Sequence, residues 1–98
     1  MTIDIKKAAE ATVISVAGRL DTITAPSLDK AIADCIADTK ALTLDLCGLE
    51  YISSAGLRVL LSAQKKMQKI GAMKLVNVCE EVMEILEMTG FADILVIE

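Results

Sequence analysis

The chain is 98 residues long, 54% hydrophobic and 24% charged, with a net charge of -4, so residues 1–98 have room for one core and not two. It contains no histidine, which excludes Ser-His-Asp and Cys-His nucleophile activation and histidine acid–base chemistry by inventory. Ten basic side chains against 14 acidic ones, with Tyr51 and Phe91 as the aromatics, argue against nucleic acid, which calls for basic grooves and stacking platforms.

Ile3 to Lys7 and Thr12 to Ala17 are rich in β-branched residues and flank Ala9-Glu10-Ala11, which predicts a hairpin. Gly18-Arg19-Leu20-Asp21 ends the second strand, and Thr22 to Pro26 leads into a helix with proline in its first turn. Leu28, Ala31, Ile32, Cys35 and Ile36 recur at helical spacing as its inner face, and Asp29, Lys30, Asp34 and Asp38 take the wet side. Ala41 to Leu46 alternates as a strand, and Gly48 to Ile52 reads as a connection. Ser53-Ser54 then opens a second helix, with Leu57, Leu60, Leu61, Gln64 and Met67 inward and Gly71 closing it. Met73 to Val78 is a strand and Glu80 to Met88 a third helix with Gly90 as its cap. Ile94 to Ile97 is a last strand. The predicted order ββαβαβαβ is that of a single α/β domain, a mostly parallel sheet with an antiparallel edge hairpin and right-handed crossovers.

Other features have plain readings. Glu80, Glu81, Glu84 and Glu87 form a solvated helix face. Met67, Met73, Met83 and Met88 are expected to fill the core. Cys35, Cys47 and Cys79 are odd in number and widely spaced, with no CxxC pair, and are expected to be reduced, mostly buried thiols rather than metal ligands. No apolar run approaches the roughly 20 residues of a membrane span. The amino-terminal Met-Thr-Ile-Asp-Ile-Lys-Lys lacks a signal peptide's apolar region. A cytoplasmic protein with no direct membrane insertion, no cofactor and no metal is expected.

In open α/β sheets, chemistry collects in the loops beyond the strands' carboxyl ends. Two such loops stand out, Gly18-Arg19-Leu20-Asp21 and Ser53-Ser54-Ala55-Gly56-Leu57. A serine at a helix start ordinarily caps orphan amides, and an aspartate in a turn ordinarily bonds its own backbone. One cap does not need two serines. With no base to make either serine a nucleophile, the surplus hydroxyl suggests a serine modified by another protein's enzyme. Walker-type GxxxxGK[ST] and GxGxxG loops are absent, so an enzyme or nucleotide-binding domain finds little support.

The Gly18-Arg19-Leu20-Asp21 turn, the Leu49-Glu50-Tyr51-Ile52-Ser53-Ser54-Ala55-Gly56-Leu57 loop, Val76-Asn77-Val78 and Leu86-Glu87-Met88-Thr89-Gly90-Phe91, in that order, resemble a STAS domain over the whole chain. The likeness is greatest to free-standing bacterial anti-sigma factor antagonists. It implies the STAS fold, with a four- to five-stranded sheet and three or four helices. It also implies a partner-switching protein, not an enzyme. In that family the unphosphorylated antagonist binds an anti-sigma factor that is also a GHKL-type serine kinase, so a sigma factor is released. Phosphorylation of the loop serine reverses this, and a PP2C-type phosphatase restores binding. The resemblance puts the acceptor at Ser54, with Ser53 as the alternative because Ser53 occupies the position where the family commonly has an acid. The expected partner-binding face comprises Asp21, Thr22, Ser53, Ser54, Ala55, Gly56, Leu57 and Arg58. The alternative is a constitutive STAS subunit of a membrane-associated lipid transporter that docks its ATPase through the same surface.

Overall fold

In the computed structural model, which describes residues 1–98, the chain opens with β1 (Thr2–Ala8) and β2 (Ala11–Leu20) paired antiparallel. Ala9, first in the two-residue turn between them, has φ 54°, the positive value that such a hairpin turn needs there. After α1 (Ala25–Ile36), β3 (Ala41–Ile52) pairs parallel with β2. After α2 (Ser54–Gln68), β4 (Ala72–Val76) pairs parallel with β3, which gives a four-stranded sheet in the order β1-β2-β3-β4. The third helix, α3 (Glu80–Met88), is followed by a single 3-10 turn at Phe91–Asp93.

Alternation decides which strand residues are inside. Ile14 and Val16 of β2, Leu42, Leu44 and Leu46 of β3, and Met73 and Leu75 of β4 are buried, with Ser15, Thr43 and Lys74 between them more open. Leu28, Ile32 and Cys35 of α1, Leu57, Leu60 and Met67 of α2, and Val82 and Leu86 of α3 pack with them in one cluster of 22 buried residues. Burying these side chains contributes roughly 1.5–3 kcal/mol each. In α2, Gln64 is buried as predicted, Leu61 is only half-buried, and Val59 and Ala63 join the core face.

Three expectations need correction. The strand predicted over Ala41–Leu46 runs on through Gly48–Ile52, because register shifts opposite Ser15/Ala17 and Gly18/Arg19 each let β3 absorb one extra residue as a bulge and keep Leu46, Leu49 and Ile52 inside. The last strand, Ile94 to Ile97, is reduced to a single bridge between Leu75 and Ile97. Ile94 and Val96 are 48% and 51% exposed, so only Leu95 contributes a fully buried side chain there. Met88 is 86% exposed and fills no part of the core, since it points away from the Val82–Leu86 stripe. Among the thiols, Cys35 is buried, Cys79 half-buried and Cys47 exposed. The four glutamates of α3 are all exposed, and Gly90, with φ 81°, follows its last residues as a left-handed cap.

Candidate functional site

The carboxyl ends of β2 and β3 lie side by side, with Leu20 in register with Ile52. The loops that leave them are tied through the main chain, the Ser53 N–H donating to the Leu20 carbonyl at 2.9 Å. This bond holds the Asp21 loop against the start of α2.

Asp21 forms a turn with its own backbone. Its Oδ1 accepts from the Ile23 N–H at 3.0 Å, the Thr24 N–H at 3.1 Å and the Thr24 hydroxyl at 3.1 Å. The Thr24 hydroxyl also lies 2.8 Å from the Arg19 carbonyl and accepts from the Asp21 N–H at 2.9 Å. The Thr24 backbone bond is the main reason the Asp21 carboxyl sits below its ordinary range, helped by the Thr24 hydroxyl, the Ile23 N–H and the Arg19 charge against a smaller desolvation effect. The turn-forming role that sequence allowed for Asp21 is therefore realised. Its geometry also presents Ile23, 86% exposed, at the loop's tip beside exposed Thr22.

At the start of α2 the two serines separate. Ser53 is the N-cap residue, extended at φ -97° and ψ 176°, and its side chain makes no capping bond. Its Oγ is buried without a hydrogen-bond partner. Ser54 is the first helical residue and exposed. The helix end carries no acidic residue in its first turn, so its amides and dipole favour an anion there. Arg58 is also exposed, one turn further along the same face.

The expected face needs two corrections. Leu57 is 5% exposed and belongs to the core, and Gly56 is buried, so neither presents a side chain to a partner. Ala55 is half-buried. The demand for glycine at position 56 comes from within the chain: a Cβ there would lie 2.7 Å from Leu20 Cγ and 2.8 Å from Ile52 Cγ1. The structure brings Asp21, Thr22, Ser53, Ser54 and Arg58 to one end of the sheet.

Two features of this end escaped the sequence reading. Ile23 is one, and an isoleucine between two threonines, outside any apolar period, was the available signal. The other is Arg19, whose guanidinium carbon lies 4.3 Å from the centroid of the Tyr51 ring, a cation–π contact across the adjoining strand ends. The pairing depends on the second register shift in β3, between Gly18 and Arg19 of β2, which makes Arg19 and Tyr51 register partners.

No helix is long and apolar enough to cross a membrane. Residues 2–98 match the STAS domain family. Over 96 residues the chain is 28% identical to the anti-sigma-B factor antagonist of Bacillus subtilis (strain 168), an alignment that covers 97% of this chain and 88% of that protein. It is 39% identical over 56 residues to the anti-sigma-F factor antagonist RsfB of Mycobacterium tuberculosis, covering 56% of this chain and 46% of RsfB, so the match spans about half of that relative's length. Among solved structures, an anti-sigma factor antagonist from Mycobacterium paratuberculosis superposes with a TM-score of 0.89 at 29% identity, over 98% of this chain and 83% of that one. With its whole length matched, its four-stranded mixed sheet and its serine-bearing helix start, the chain belongs to the STAS domain family.

Proposed function

We propose that this domain is an anti-sigma factor antagonist that switches partners through phosphorylation of Ser54. The observation that carries the reading is the split between the two serines: Ser54 is exposed at the helix start, and the Ser53 hydroxyl is buried. A kinase can reach the first and not the second. Unphosphorylated, the face formed by Asp21, Thr22, Ile23, Ser54 and Arg58 binds an anti-sigma factor serine kinase of the GHKL type, and a sigma factor is released. A PP2C-type phosphatase resets the switch. The setting is the cytoplasm and the domain itself catalyses nothing.

Physics supports a switch in binding and not in folding. A phosphoserine adds roughly -1.5 to -2 charges. At the first helical residue the dipole favours these by about 0.3–1 kcal/mol, and Arg58 stands one turn away to receive them. An acidic partner group about 5 Å away, at an effective dielectric of about 40, is opposed by about 1.7 kcal/mol per charge pair. Two charges, with the contacts they displace, approach the roughly 4 kcal/mol between nanomolar and micromolar affinity.

Incubation with the cognate kinase and ATP, read by mass spectrometry, tests the assignment. Phosphate is expected on Ser54. Ser54→Ala is expected to abolish it and keep the partner bound, and Ser54→Asp to weaken binding. Phosphate on Ser53 alone overturns the site. No phosphate on either serine, with an ATPase bound at the same face, overturns the switch in favour of a constitutive transporter subunit.

A further inference from the structure

The two edges of the sheet are treated differently. Beyond β4 the chain's own end lies alongside, with the Leu75 N–H donating to Val96 at 2.8 Å and the Glu98 N–H donating to Leu75 at 2.9 Å. Beyond β1 there is no neighbouring strand. This strand is regular from Thr2 to Ala8, with unbroken register and neither proline nor bulge, so its outward N–H and C=O groups form a template for another strand. Its inner face is also incompletely covered: Ile5 is 42% exposed although its partner Ile14 is fully buried.

We propose that β1 is a self-association edge, on which a second copy of this chain pairs antiparallel about a two-fold axis through Ile5 and joins two sheets into one of eight strands. The argument for that occupant is charge. With Ile5 opposite Ile5 of the second copy, Asp4 faces Lys6 and Lys6 faces Asp4, so two opposite-charge pairs form in one register. Neither residue has an ion pair within its own chain, whereas neighbouring Lys7 is held by Asp38 at 3.2 Å. Lysines on an edge strand usually repel another strand, and Asp4 removes that repulsion at Lys6 in this register only. Asp4 and Lys6 share the open face of the sheet with Ser15 and Val13. Ile3 and Ile5 share the helix side with Val16 and Ile14, so pairing buries Ile5 against its counterpart beside the core. Such an interface is isologous and closes at two copies. The Ser54 ends point in opposite directions and both stay free, so the proposal stands apart from the switch.

Sedimentation equilibrium of the 98-residue chain, from about 10 μM to about 1 mM, tests it. A reversible monomer–dimer equilibrium is expected, with β1 amides gaining protection from exchange as concentration rises. Asp4→Lys and Lys6→Asp place like charges opposite each other, and each is expected to weaken the dimer about tenfold or more. The double variant exchanges the signs and is expected to return to within about threefold of the starting affinity. Both positions are exposed, and unchanged thermal melts show that the variants fold. A chain that stays monomeric at about 1 mM overturns the proposal, as does a double variant that fails to recover, or a dimer in which β1 amides exchange as fast as in the monomer.

Discussion

Replacing Gly56 by alanine sets two effects against each other. Helix propensity favours alanine by up to about 1 kcal/mol. Packing opposes it, because the new Cβ would stand 2.7 Å from Leu20 Cγ, 2.8 Å from Ile52 Cγ1 and 3.0 Å from Leu20 Cδ2. Carbon atoms settle at about 3.5–4.0 Å, so about 1 Å of separation must be found. The obstructing side chains are 0% and 2% exposed and cannot swing into solvent. Overpacking of this kind costs about 1–3 kcal/mol, which leaves Gly56→Ala less stable by about 1 kcal/mol. For a chain near 100 residues that lowers the melting temperature by roughly 4–8 °C. Gly56→Val adds two methyl groups to the same gap without alanine's helix propensity, and its loss should exceed about 3 kcal/mol. Urea unfolding followed by far-UV circular dichroism measures both, since the chain has no tryptophan to report. A Gly56→Ala protein more stable than the parent, or a Gly56→Val protein equal to it, would refute the packing argument and show that α2 has room to lift from the strand ends.

Two further predictions follow from polar contacts. The buried Thr12 and Thr39 hydroxyls share a hydrogen bond of 2.7 Å, so Thr12→Val alone should cost about 1–3 kcal/mol by orphaning Thr39, and the double change to valine should recover most of it. A double-mutant cycle with no coupling would sink this account. Asp21 is bonded as a carboxylate, so its native pKa lies below the ordinary 3.8. Its contribution to the loop is therefore complete above that value and is lost as pH falls through the lowered native one. Carboxyl titration by NMR should place the midpoint below 3.8, with Thr24→Val moving it part of the way back. A midpoint at or above 3.8 would contradict the turn geometry.

The helices were legible because their apolar spacing coincides with what the sheet buries. Leu28, Ile32 and Cys35, then Leu57, Leu60 and Met67, announce the faces they use. The far half of β3 was not, because the bulge breaks the period-two pattern between Leu46 and Leu49, and Gly48 reads as a turn. Ile94 to Ile97 failed in the opposite sense. Its residues favour extended backbone, and strand length is decided by the neighbours available for pairing, which here amount to one bridge. At the site, the Ser53-Ser54 loop and Asp21 could be picked out from residue types at strand ends. The burial of the Ser53 hydroxyl and of Leu57 depends on how α2 leans on Leu20 and Ile52, a tertiary fact with no local signature.

The bond from Ser53 to Leu20 runs between main-chain atoms, so it does not depend on which side chains are exposed around Ser54. Thr22, Ile23 and Arg58 are exposed and can be rewritten without loosening the mooring beneath them. If the face binds a partner as proposed, a cell holding several such domains keeps them insulated from one another by surface substitutions alone, each copy recognising its own partner while the shared scaffold stays unaltered.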